Sequence, residues 1–190
     1  MPQTDRRRTA APRRILAALV LSLLALMGAT STAAAAPAAP AAGFAAQARA
    51  LGLTPGQAER LQARVDGYLA STGGTQIAAD RIALPGGELR LALPGEQRTG
   101  DASLVGIPCP YTWVCAYSDP NYQGDALMLF TCGRLTPVSW GGTGSWINNQ
   151  RAELRVKFYN SDKNVGWTSP GGYSSDPNAP WGWVYWLNPC

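Results

Sequence analysis

The chain has 190 residues, with 46% apolar residues, 16 Lys and Arg against 12 Asp and Glu, four cysteines and no histidine. Without histidine, a Ser-His-Asp triad, a Cys-His dyad and the usual histidine-bearing zinc sites cannot be assembled. Five Arg and one acidic residue lie within residues 1–35, which leaves 11 basic and 11 acidic side chains beyond them and no electrostatic case for a nucleic-acid or anionic-membrane partner.

The N-terminus carries Arg6, Arg7, Arg8, Arg13 and Arg14, then the apolar run "ILAALVLSLLALMGA", then the small-residue stretch "TSTAAAAPAAP". This is the pattern of a secretory signal peptide, taken as residues 1–35. The run is shorter than the roughly 20 apolar residues a membrane-spanning helix needs. The expected destination is extracellular. Residues 36–50, "APAAPAAGFAAQARA", form a low-complexity Ala/Pro segment expected to be disordered, or partly helical towards its end.

A helix is predicted in "TPGQAERLQARVDGYLASTGG". Thr54 can cap it, Pro55 suits the first helical position, and Gln57 completes a capping box. Leu61, Val65, Tyr68 and Leu69 recur at helical spacing, and Gly73 with Gly74 ends the pattern. Residues 75–96 read as two short strands about Pro85, Gly86 and Gly87. A helix and one hairpin bury too little apolar surface to stand alone, so residues 51–96 read as an accessory or pro-region that docks on another surface. Residues 97–105 read as a polar linker.

From 106 to 190 the texture changes. Six of the seven tryptophans lie after residue 139, and the runs "TWVCAYS", "ALMLFTC", "AELRVKFYN", "NVGWTS" and "WGWVYWL" alternate with Gly, Pro and Asn. Short strands with frequent turn signals predict a mainly β sandwich or barrel. Four cysteines in an exported chain read as two disulfides. Gaps of 5, 16 and 57 residues between them suit a zinc site poorly. Of the carboxylates in this region, Asp119, Asp125, Glu153, Asp162 and Asp176, four sit in turn-like contexts where Asp bonds its own backbone. The chain is therefore expected not to be an enzyme.

"CAYSDPNYQGDALMLF" contains an aromatic, four residues, an aromatic, one residue and a glycine: Tyr117, Tyr122 and Gly124. This resembles the Greek-key motif of βγ-crystallins, a folded-over hairpin in which Gly124 takes positive φ and the Tyr117 ring covers the turn. A degenerate second copy runs from Tyr159 through Asn164 to Gly166. Together with "CPYTWVCAY", "NYQGD", "GSWINNQ" and the C-terminal cysteine, the pattern resembles the secreted actinobacterial peptidase-inhibitor family typified by the Streptomyces metalloproteinase inhibitor. The resemblance covers roughly residues 107–190. It implies a βγ-crystallin-like Greek-key sandwich and inhibition of secreted metallopeptidases by a rigid surface loop.

The candidate loop is 134–147, "RLTPVSWGGTGSWI", in which Leu135, Val138 and Trp140 could address an apolar pocket; the opposing expectation is that the tryptophans pack in the core. The run from Asn148 and Asn149 to Glu153 resembles the family's calcium motif, but Ala152 stands where a hydroxyl ligand belongs, so no cofactor or metal is expected. If the hairpin centres near Asn121 and Tyr122, its arms bring Cys109 towards Cys132, which leaves Cys115 for Cys190. In "PWGWVYWLNPC", alternation would place Trp181, Trp183 and Tyr185 on one face and Val184 with Trp186 on the other. An exposed face of that kind supports the alternative function, an extracellular module for polysaccharide or cell envelope; a structural protein without ligand is the third. The expected partner is thus a secreted peptidase or, alternatively, cell-wall polysaccharide, bound by a monomer with no nucleic-acid partner and no membrane attachment after leader removal.

Overall fold

The computed structural model describes residues 39–94 and 107–190, so the expected signal peptide over 1–35 and the expected linker over 97–105 lie outside the described residues. Two helices come first, α1 (Ala39–Ala50) and α2 (Pro55–Thr72). Residues 36–38 lie outside the described residues, and α1 occupies the later part of the Ala/Pro segment, where partial helix is the expected alternative to disorder. Its alanines are the best helix formers, and a proline in the first turn costs no hydrogen bond. In α2 the Thr54 side chain accepts from the Gln57 backbone N–H and the Thr54 N–H donates to the Gln57 carboxamide at 2.8 Å. Gly73 closes the helix with φ 68° and donates to the Leu69 carbonyl. Leu61 and Val65 are buried as their spacing predicts.

Among the described residues eleven strands follow, in two antiparallel sheets. They are β1 (Thr75–Ala78), β2 (Arg81–Leu84), β3 (Gly87–Arg90), β4 (Trp113–Asp119), β5 (Gln123–Leu129), β6 (Thr136–Pro137), β7 (Thr143–Asn149), β8 (Lys157–Tyr159), β9 (Val165–Thr168), β10 (Ser174–Pro180) and β11 (Trp186–Asn188). The larger sheet has the order β1-β2-β3-β5-β4-β7-β10 and the smaller β6-β11-β8-β9. Segment 75–90 thus holds three strands where two were expected, because the chain reverses a first time at Ala79 and Asp80. These strands are not a separate hairpin. Leu89 pairs with Leu127 and Gly87 with Leu129, so β3 covers an edge of β5 that would otherwise be open to pairing with other chains.

Strands β4–β7 and β8–β11 follow one plan. In each set the fourth strand lies beside the first and the first beside the second, while the third crosses to the other sheet: β6 joins β11, and β10 joins β7. One continuous apolar core lies within. Val114, Ala116, Leu127, Leu129 and Trp146 meet Phe158, Leu187, Val156 and Trp181, and the core continues to Leu61, Val65, Ile82 and Leu89. Among the described residues no helix is long and apolar enough to cross a membrane.

The turn after β4 takes the form its residues predict. Asn121 and Tyr122 have φ 56° and 62°, and Gly124 has φ 80°. A Cβ on Gly124 would stand 2.1 Å from the Ser118 hydroxyl, so the position is closed to side chains on two counts. Tyr117 is 1% exposed, meets Tyr122 edge-on at 5.9 Å, and donates its hydroxyl to the Ile107 carbonyl at 2.8 Å. The second copy differs. Positive φ falls at Lys163 (61°), and Asn160 closes the turn by accepting from the Asp162 and Asn164 N–H groups.

The disulfides correct the expected pairing: Cys109 joins Cys115, and Cys132 joins Cys190. The chain reverses at Pro110 to Trp113 before β4 begins, with Thr112 at φ 75°, and so lays Cys109 over the outer face where the buried Cys115 points. Cys132 lies beyond the end of β5, and Cys190 just beyond β11. The alternation expected over 181–186 fails as well. Residues Trp181–Trp183 form a 3-10 turn, which buries Trp181 at 1% exposure and half-buries Trp183.

Candidate functional site

The 134–147 stretch divides into β6, an exposed turn at 139–142, and β7. Leu135 is half-buried. The side chains expected to face a partner are corrected by their placement. Val138 is 7% exposed and belongs to the core, because its N–H is bound to the Tyr185 carbonyl at 2.9 Å and its side chain therefore turns inward. Trp140 is half-buried, lies edge-on to Trp181 at 5.9 Å, and donates its indole N–H to the Tyr68 hydroxyl at 2.8 Å. What faces solvent is Ser139, Gly141, Gly142 and Thr143.

This exposed stretch is held at every side. Val138 is bound to Tyr185 on one flank, Thr143 pairs with Pro180 on the other, and the Gly142 carbonyl accepts from the Trp181 N–H at 2.8 Å. Beneath it, Trp140 anchors to α2 rather than to either sheet's ladder.

That anchor continues inward. The Tyr68 hydroxyl accepts from Trp140 and donates to Asp125 Oδ2 at 2.7 Å. Asp125, 6% exposed, also accepts from the Ala92 N–H at 2.9 Å and is ion-paired with Arg64. Arg64 Nη1 in turn donates to the Ala92 carbonyl at 3.0 Å. Arg64 and Tyr68 stand four residues apart on α2, the spacing that puts two side chains on one face. Asp125 follows Gly124, which has φ 80°. Its role is thus structural, as the common acceptor that joins helix, β3 exit and sheet. Burial, then the negative charge of Asp125, then their hydrogen bond push the Tyr68 hydroxyl well above its ordinary pKa of 10.0. Burial and the neighbouring Tyr122 do the same to Tyr117.

These shifts carry a pH dependence. The folded state keeps the tyrosine protons while the unfolded chain releases them near pH 10, so folding is weakened by alkali rather than by acid. Stability is expected to be unaffected by these groups below about pH 10 and to fall as pH rises beyond it. Melting midpoints taken from about pH 8 to about pH 11 should show this fall, and Tyr68→Phe should flatten it. An unchanged slope in that variant would reject the assignment.

The residues of the calcium-like motif serve a turn. Asn148 is fully buried; its Nδ2 donates to the Leu154 carbonyl at 2.9 Å, and its Oδ1 accepts from the Gln150 backbone and side chain. Asn149 Nδ2 donates to the Cys109 carbonyl at 3.0 Å. Among the described residues no cluster of three or more acidic or cysteine ligands forms.

The contacts that support the 139–143 turn carry no signal in the sequence. Tyr68 reads as one of the helix's apolar stripe, Asp125 as a turn carboxylate, and Arg64 carries no signal of its own. Compared with family models, curated proteins and solved structures, the chain matches none.

Proposed function

We propose that this chain is an exported peptidase inhibitor with a βγ-crystallin-like fold, acting on metallopeptidases through the exposed main chain of residues 139–143. The observation that carries the reading is the anchoring of Trp140 to Tyr68, which stiffens that turn from below. A segment already held in one conformation loses little entropy on entering a peptidase cleft. Its flanks are hydrogen-bonded on both sides, so cleaved ends would stay in place and favour religation. The crystallin-like reading of the fold draws support from the topology. A fourth strand beside the first, and the first beside the second, is the Greek-key order, here twice with the third strands exchanged. The Tyr117, Tyr122 and Gly124 turn supports it too.

The test is titration of the purified protein against a thermolysin-like zinc peptidase, reading residual hydrolysis. Activity is expected to fall in proportion to added protein, and no loss at stoichiometric excess would end the inhibitor reading. Gly141 offers a clean variant, since a Cβ there meets nothing within 4 Å and its φ is ordinary. Gly141→Glu should leave the melting midpoint unchanged and weaken inhibition by about tenfold or more, about 1.4 kcal/mol.

A further inference from the structure

The loop reading leaves unused a recess of about 340 Å³ among β7–β10 and the Trp181–Trp183 turn. Its size falls at the small end of the roughly 300–1,000 Å³ of small-molecule sites. Five aromatic rings surround it: Trp146, Phe158, Trp167, Trp181 and Trp183. Trp146 meets Phe158 at 5.7 Å and 62°, and Trp167 meets both at 5.6 Å and 5.1 Å, each at 56°. Phe158 also lies nearly parallel to Trp181 at 6.1 Å and 25°, so the recess has a packed aromatic wall. Trp167 remains 42% exposed at the lip. Gly166 permits the opposite wall: a Cβ there would lie 2.3 Å from the Trp183 ring.

One acidic side chain enters this aromatic wall. Asp176 stands opposite Trp146 in the β7 and β10 register, and its Oδ1 accepts from the Asn178 N–H at 2.8 Å. Among the described residues no Lys or Arg pairs with it.

Three ligand chemistries can be set against this lining. A neutral apolar group would fill the rings but would desolvate Asp176 with nothing in return. A sugar ring would stack on tryptophan, but its hydroxyls need several donors and acceptors, and unpaired ones are costly. Asp176 is the one ionisable side chain of the lining and supplies acceptors alone. An alkylated ammonium group meets both demands. It is drawn to ring faces by their quadrupoles, it carries the charge that compensates Asp176, and its methyl groups need no hydrogen-bond partner.

We propose that this recess binds an organic cation of the quaternary or alkylated ammonium class. The test is titration of the full protein with choline, with its neutral isostere 3,3-dimethylbutanol and with glucose, followed by calorimetry and tryptophan fluorescence. Choline is expected to saturate at or below roughly the millimolar range, with the isostere weaker by about tenfold or more and glucose without effect. Asp176→Asn should weaken choline by about tenfold and leave the isostere unchanged, while Trp167→Ala should abolish both. Equal affinity for choline and the isostere, a response to glucose alone, or no saturable choline binding would each overturn the proposal.

Discussion

Replacing Cys132 and Cys190 together with serine is expected to cost about 4 kcal/mol, whereas the same change at Cys109 and Cys115 should cost about 2 kcal/mol. The difference comes from the unfolded chain. The first bond closes a sequence separation of 58 residues and the second only 6, and the entropy removed from the unfolded state grows with the logarithm of loop length. For a domain of this size the two losses correspond to melting-point falls of roughly 10 °C and roughly 5 °C. The long bond also sits in a region of further ties. Asn188 Oδ1 accepts from the Gly133 N–H at 3.0 Å and the Cys190 N–H at 3.3 Å, and Gln150 donates to the Pro189 carbonyl at 2.6 Å. These keep the end of β11 near β5 even without sulfur, so the variant should remain folded at room temperature. Thermal melts of the two double variants, beside non-reducing peptide maps, check both pairing and ranking. A larger loss from the short bond would contradict this account.

What could be read from the sequence was mostly local. The helix α2 carries its boundaries in Thr54, Pro55, Gln57 and Gly73, each acting within one turn of itself. The β4 turn is likewise legible, because Tyr117, Tyr122 and Gly124 lie within eight residues and Gly124 has a conformation few other residues tolerate. Strand β10, "SSDPNAP", was not legible. Its Pro, Asn and Asp signal a turn, and it is a strand because β7 pairs with it, with a bulge between Asp176 and Ala179 and a free edge on which proline is allowed. The Trp181–Trp183 turn was misread for a related reason: alternation presumes an extended chain, and this stretch bends to bury Trp181. The cysteine pairing failed because the reversal before β4 depends on Thr112, a residue with no turn preference strong enough to mark it.

The candidate site divides the same way. Residues 134–147 could be singled out by composition and by their place after Cys132. Their support could not, since Tyr68 meets Trp140 across 72 residues of sequence and Arg64 meets Asp125 across 61. No spacing rule reaches that far. Helix α2 therefore looked accessory, although it carries the hydroxyl that holds the loop.

The consequence of that arrangement is the second large effect. Asp125→Ala should destabilise the protein by roughly 2–4 kcal/mol, a substantial part of the roughly 5–15 kcal/mol that keeps a domain folded. The loss has a definite origin. Removing the carboxylate leaves the Tyr68 hydroxyl, the Ala92 N–H and the Arg64 guanidinium without their common acceptor; the Ala92 N–H is buried and the Tyr68 hydroxyl part-buried, while Arg64 reaches water. Asp125→Asn retains the shape and one acceptor oxygen, so it should cost clearly less. Stability alone does not separate a buttress for the loop from an ion pair that merely holds α2 in place. Tyr68→Phe does, because it cuts the link to Trp140 while leaving the Arg64 and Asp125 pair intact. Its direct cost should be about 1 kcal/mol. In a double-mutant cycle, Tyr68→Phe and Trp140→Phe should be coupled by roughly 0.5–1.5 kcal/mol in the melting free energy. The same coupling should appear in inhibition, since either change releases the turn from below. If the two substitutions prove additive in stability, the hydrogen bond contributes nothing; if they couple in stability but leave inhibition untouched, the turn at 139–143 is not the element that meets the peptidase.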